Sequence, residues 1–320
     1  MISRRLLRIK ALMALYALNR RDDNDLVQAE KELLFSISRT YDLYHLILLL
    51  VIELSDIARE KIDLALRKKM PTHEDLNPNR RFADNMLINQ LRDNHYLNDF
   101  ITTKKLSWAN SQEITRMIFN KMVAWDQYTD YMKAQKSGYS DDKKFILSLV
   151  TGFLVTSDDL ITGLEEQSIF WNDDLDYVAA MIEKTLRKFK SGSDDNKLMP
   201  LYKNEDDERY VKTLFRKAVL NTKECSDLID RNTTNWEIER IALMDILVMQ
   251  LAITEISEFE EIPVKVTLNE YIEIAKYYCT SKSSTFVNGI LDKVVREMRD
   301  NGKFKKTGRG LVGDLEEDDE

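Results

Sequence analysis

Apolar residues recur three and four positions apart along most of this 320-residue chain, the spacing that lines one face of an α-helix, whereas strict alternation is rare. Between Asp22 and about Lys69, Leu26, Leu33, Leu34, Ile37, Tyr41, Tyr44, Leu48, Ile52 and Ile57 form a continuous helical stripe with charges opposite, predicting helix in more than one piece. Asn79 to Lys136 returns to the same spacing, with Trp108, Met117, Ile118, Met122, Trp125 and Tyr128 as expected core. Ile241 to Ile253 is apolar all round except for Asp245 and Gln250, the pattern of a helix central to a bundle. From Pro263 onward, Leu268, Ile272, Ala275 and Cys279 predict one amphipathic helix. Hydroxyl caps lie within Ser281 to Thr285, and Phe286, Ile290, Leu291, Val294, Val295 and Met298 mark a second helix. The brief alternation Val264, Val266, Leu268 reads as a helix lead-in ahead of a strand. The fold class expected is all-α.

Breaks in the pattern divide the chain. Pro71, Thr72, Asn77 and Pro78 mark a linker, Ser137, Gly138 and Tyr139 a loop, and Ser191 to Asn196 a polar loop. Phe145 to Trp171 and Tyr210 to Trp236 share one aromatic-to-tryptophan separation around a polar cluster, which is either a partial duplication or shared helical periodicity. After Gly302 periodicity stops. Lys303, Lys305, Lys306 and Arg309 are followed by Glu316 to Glu320, and this tail is expected to be disordered.

Composition narrows the function. Nine Gly and four Pro suit a helical chain, and a net charge of −8 argues against non-specific coating of nucleic acid, which depends on many phosphate contacts. Any RNA site must be a local patch. Cys225 and Cys279 fit a reducing compartment, and His45, His73 and His95 have no metal-ligand spacing. Leu46 to Ile52, the longest apolar run, is far short of the ~20 residues that span a bilayer. The basic, amphipathic start, Met1 to Arg21, is interrupted by Arg8 and Lys10 where a signal peptide would be apolar, so a cytoplasmic helix is the preferred reading. With no phosphate loop, nucleophile elbow or metal spacing, neither catalysis nor a cofactor is expected.

Two features carry candidate chemistry. Arg4, Arg5 and Arg8 fall at i, i+1 and i+4, a basic strip on one helix face that is either solvated or a phosphate contact. Asn288 and Gly289 open the last helix, where Gly costs about 1 kcal/mol relative to Ala, suggesting close approach of another helix or of a ligand. Asp245 is an edge acid or a paired one, since burying a lone carboxylate costs several kcal/mol.

The blocks P-x-K-V-x-x-N-E-x-x-E-I-A-K, from Pro263 to Lys276, and F-V-N-G-I-L-D, from Phe286 to Asp292, together resemble the C-terminal signature of the NusB family of transcription antitermination factors. The opening R-R-L-L-R-I-K-A-L-M-A-L-Y, Arg4 to Tyr16, is similar to that family's arginine-rich first helix, departing from the richest versions of the motif by carrying Leu6 between its arginines. The resemblance implies NusB-like helical bundles enlarged by inserted helices: a basic helix at 1–21, a largely inserted region at 22–139, a possible partial repeat at 140–204, the C-terminal core at 205–302 and the charged tail at 303–320. It implies an adaptor that binds boxA-like single-stranded RNA in ribosomal-RNA leaders together with the ribosomal protein NusE, within the RNA polymerase antitermination complex. By the same resemblance, Arg4, Arg5, Arg8 and Lys10 contact phosphates, Phe286 and Asn288 contact bases with Gly289 in the same RNA-binding site, and Tyr16 and Asp245 contact NusE. The alternatives are a non-catalytic helical scaffold that binds protein only, with 22–138 as its working surface, and a homodimer that buries its own RNA face.

Overall fold

The computed structural model describes residues 1–21, 25–135, 138–193, 195–233 and 241–312. Ser137 of the expected loop, Asp194 of the polar loop, Trp236 of the second apparent copy and the acidic residues Glu316 to Glu320 lie outside these. No strand occurs among the described residues. The chain is all-α.

The helices are α1 (Arg4–Asn19), α2 (Leu26–Leu66), α3 (His73–Leu76), α4 (Met86–Arg92), α5 (His95–Lys104), α6 (Gln112–Val123), α7 (Asp126–Lys133), α8 (Tyr139–Ser148), α9 (Asp158–Gln167) and α10 (Leu175–Lys188). They continue as α11 (Glu205–Leu220), α12 (Thr222–Asn232), α13 (Leu243–Glu258), α14 (Val264–Tyr278) and α15 (Ser283–Asp300). Two compact units result. One comprises Met1 and Ser38–Leu201, the other Ile2–Ile37 and Tyr202 to the C-terminus. The stripe expected to break into several helices is one 41-residue helix, α2. It holds neither Pro nor Gly, so nothing in its sequence interrupts the backbone hydrogen bonds.

In the first unit, the length of α2 from Ser38 onward is the mast on which other elements hang. The Trp108 indole donates to the Leu46 carbonyl at 2.9 Å, the Tyr41 hydroxyl to the Met199 carbonyl at 2.7 Å, and the Tyr44 hydroxyl pairs with Thr185 at 2.8 Å. His45 stacks on Phe100 with ring centroids 3.7 Å apart. Of the expected core residues in 79–136, Trp108, Ile118, Met122 and Tyr128 are buried, while Met117 is exposed. Met117 sits on α6, whose buried residues are Thr115, Ile118, Phe119 and Met122, and it falls off that stripe. Between α8 and α9 the chain passes through a π-helical turn, Leu149–Phe153. No single helix among the described residues is long and apolar enough to cross a membrane. One bent pair, Tyr139–Thr156 with Asp158–Gln167, reaches that apolarity, and its Phe145, Ile146, Leu149, Val150, Leu154, Leu160 and Leu164 are buried in the unit's core.

The second unit is built round α13. All but a few of its residues are buried, including Leu247 through Ile256, and α1, α11, α12, α14 and α15 pack against it. This is why its sequence is apolar on every side. α14 begins at Val264 directly behind its N-cap Pro263, so the local alternation there is helix. Residues 303–312, expected to be disordered, are instead seated against the C-terminal end of α13. The Lys306 ammonium donates to the carbonyls of Ile256 (2.8 Å) and Phe259 (3.0 Å), and the Thr307 amide donates to Glu260 O at 3.1 Å. The physical reason is the end of α13: its last carbonyls lack intrahelical donors, and a cation there satisfies both the hydrogen bonds and the helix dipole.

Candidate nucleic-acid interface

α1 begins against electrostatic expectation. Ser3 caps it by accepting from the Leu6 amide, yet its first turn carries Arg4 and Arg5 and no acid, the wrong sign for a helix N-terminus. Acids from three other helices compensate. The Arg4 Nε donates to Asp207 Oδ1 at 3.1 Å, and its guanidinium lies 4.9 Å above the Tyr210 ring. Asp207 itself sits in the first turn of α11, where a carboxylate is favoured by the dipole. Arg5 grips Glu270 of α14 through Nε (2.9 Å) and Nη2 (2.7 Å).

Arg8 is held differently from its neighbours. It is buried, and it donates to both oxygens of Glu255 on α13, at 2.8 and 2.7 Å, and to Glu270 at 3.4 Å. Glu255 has no exposure at all. It also accepts from the hydroxyls of Tyr210 (2.5 Å), Thr267 (2.8 Å) and Tyr271 (3.3 Å). Burial pulls the Arg8 pKa down, but the hydrogen bond and charge of Glu255 outweigh it and the guanidinium is raised. Burial, with Glu255 beside them, holds the phenols of Tyr210 and Tyr271 well above their ordinary range, so both remain donors. For Glu270 the Arg5 hydrogen bond dominates, and its carboxyl is lowered.

The sequence treats Arg4, Arg5, Arg8 and Lys10 as one phosphate-contacting set. The structure separates them. Arg4 and Arg5 keep side-chain exposures of 44% and 41%, whereas Arg8 is at 4% and Lys10 is also buried. A guanidinium enclosed on two carboxylates has few donors left for a strand outside, and Arg8 reads here as the clamp that fixes α1 to α13. Glu255 escaped the sequence analysis because the apolar run ends at Ile253. Its one signal was an acid continuing that same stretch.

The second group gathers at the other end of α13. Asp245 is buried and accepts from the Ser283 hydroxyl of α15 at 2.9 Å. With Ile241, Ala242, Thr280, Lys282, Ser283 and Phe286 it lines a cavity of about 310 Å³. Cys279, half-buried nearby, has its thiol pushed up to about 12, first by burial and then by Asp245. Asp245 is therefore not an edge acid: its Oδ2 accepts from Ser283, while its Oδ1 is buried with no hydrogen-bond partner among the described residues. Phe286 is half-buried, and Asn288 donates within its own helix to Asp292 at 3.4 Å. No other helix among the described residues approaches Gly289, since a Cβ placed there would meet no neighbouring atom of the protein within 4 Å. Its helix buries Val287, Ile290 and Leu291, leaving Gly289 on the outer face. Tyr16, toward the end of α1, is half-buried under the Arg20 guanidinium at 5.3 Å. Asp245 and Glu255 are ten residues apart on one helix, about 15 Å at 1.5 Å per residue. The arginines and Phe286 thus lie at opposite ends of α13.

Fold and site together define an all-α protein in which a buried arginine–glutamate pair docks the first helix on a central apolar one. The profile of the family described as NusB matches residues 175–296. The transcription antitermination protein NusB of Salinibacter ruber is 42% identical over 115 residues, 36% of this chain and 72% of that protein. The protein of the same name from Chloroherpeton thalassium is 41% identical over 103 residues, 32% of this chain and 49% of its own. Among solved structures, T. maritima NusB aligns with 27% identity over 43% of this chain and 85% of that one, with a TM-score of 0.29. The chain belongs to the NusB family. The profile match starts at residue 175, so α1 lies outside it and is joined to the matched helices by its packing on α11 and α13.

Proposed function

We propose that this protein is a non-catalytic, cytoplasmic adaptor that binds boxA-like single-stranded RNA and, with NusE, acts in the RNA polymerase antitermination complex on ribosomal-RNA operons. The observation that carries the reading is the division of labour in the strip: Arg8 anchors α1 while Arg4 and Arg5 remain half-exposed on the family's helical core. In this reading Arg4 and Arg5 contact phosphates. Phe286 stacks on a base, worth about 1–3 kcal/mol, and the Asn288 amide supplies donor and acceptor. Gly289 leaves open space for the strand. Tyr16 and Asp245 serve the NusE surface, and Arg8 and Lys10 act as supports. The test is binding of a boxA-like RNA, alone and with NusE, by the parent and by Arg5→Ala. The parent is expected to bind, more tightly with NusE, and Arg5→Ala to weaken it about tenfold. Equal binding by both would sink the assignment.

A protein-only scaffold is favoured by one fact, that residues 38–174 of the first unit lie outside the family match. A stable protein partner captured through that unit, with no RNA binding at low salt, would decide for it.

A further inference from the structure

The segment after α15 is a built strap. Gly302 turns the chain at φ 61°, and the Lys303 amide closes onto Met298 O at 2.8 Å. Lys303 pairs with Glu224 of α12 at 2.6 Å, and Lys306 and Thr307 fasten the middle to α13 and Glu260 as described. Gly308 adopts φ 53°, a left-handed turn that favours glycine. Gly310 is buried so tightly that a Cβ there would lie 1.9 Å from the Glu260 carbonyl oxygen. Lys305 and Arg309, by contrast, are exposed. The strap's anchor is close to the arginine strip through two aromatic rings: the Phe259 ring lies 4.8 Å from that of Tyr210, over which Arg4 sits.

We propose that this strap is a second phosphate-contacting surface, in which Lys305 and Arg309 hold RNA flanking the phosphates met by Arg4 and Arg5. The proposal rests on the RNA-binding reading above. The chemistry is that of a single-stranded polyanion. Cations on a fixed backbone lose less freedom on binding than cations on a free tail, so fastening the segment raises what each contact contributes. The following residues, Asp314 and Glu316 to Glu320, carry the opposite charge, so the measurement belongs in the full chain.

The experiment compares RNA binding across salt concentrations for the parent, K305Q/R309Q, G310A and Arg5→Ala. Each phosphate contact to a single strand contributes about −0.7 to the log–log salt slope, so K305Q/R309Q is expected to bind several-fold more weakly with a slope shallower by about 1.4. G310A changes no charge but unseats the strap. It is expected to weaken binding in the same direction while circular dichroism of the helices stays at the parental value. If Arg5→Ala weakens binding and K305Q/R309Q leaves affinity and slope unchanged, the strap proposal is overturned and the adaptor reading stands. Parental binding by G310A beside a weakened K305Q/R309Q overturns the requirement for a seated strap. A parent that binds no RNA overturns both.

Discussion

Glu255 is the residue on which the site's geometry depends, because it accepts from Arg8, Tyr210, Thr267 and Tyr271 with no water access. Removing one member of a buried ion pair typically costs about 3–5 kcal/mol, mostly by stranding the other charge. Glu255→Gln is expected to destabilise the protein by about that much in urea unfolding, and Arg8→Met with Glu255→Gln by less than Glu255→Gln alone. Additive single costs would contradict the clamp. Glu270 gives a pH prediction. Its folded pKa is lowered by Arg5, so its contribution to stability is present in full above the ordinary carboxylate value of about 4.3 and is lost as pH falls through the lower folded value. Glu270→Gln should therefore be less stable than the parent at pH 7, with the difference closing in acid; a difference independent of pH would refute it. Little of this was legible in the sequence. Arg8 and Glu255 are 247 positions apart, and i, i+4 spacing cannot say which of three arginines on a face turns inward. The signature blocks were local and so could be read. The burial of Arg8, the pocket round Asp245 and the open space at Gly289 depend on which helices become neighbours.

At the level of elements, helical spacing located the long stripes because each buries one face, and α13 was identifiable because it buries all of them. The unbroken run of α2 was misjudged on length, since few helices reach 41 residues. The strap was missed for the opposite reason: its order comes from lysine and amide hydrogen bonds to the end of α13, and no periodicity reports those. A glycine within a helix shows how close packing works in the first unit. A Cβ added at Gly163 of α9 would sit 2.6 Å from Ile114 Cδ1 of α6. Overpacking a core costs about 1–3 kcal/mol, against a gain of up to about 1 kcal/mol in helix propensity. Gly163→Ala is expected to lower the thermal midpoint, and adding Ile114→Val, which removes that terminal methyl, to restore part of it. Equal midpoints for the two variants would show that α6 and α9 are not in tight contact.

On the scale of the whole molecule, a net charge of −8 opposes RNA at long range, so binding depends on a few local cations and should weaken steeply with salt. Arg4 and Arg5 with one strap contact give three phosphates and a slope near −2, and with both strap contacts four phosphates and a slope of about −2.8. Titration of RNA binding between low and physiological salt checks this; a slope near zero would mean that charge is not what holds the strand. The position of α1 has a consequence for synthesis. It is synthesised before the helices that hold it, α11, α13 and α14. Until those helices are made Leu6, Leu7 and Leu12 lack the cover that α11 and α13 give them, and the first unit can fold in the interval. The arginines that stand among those leucines keep the waiting segment charged, and the contact of longest range in the site, Arg5 with Glu270, closes only after α14 has been made.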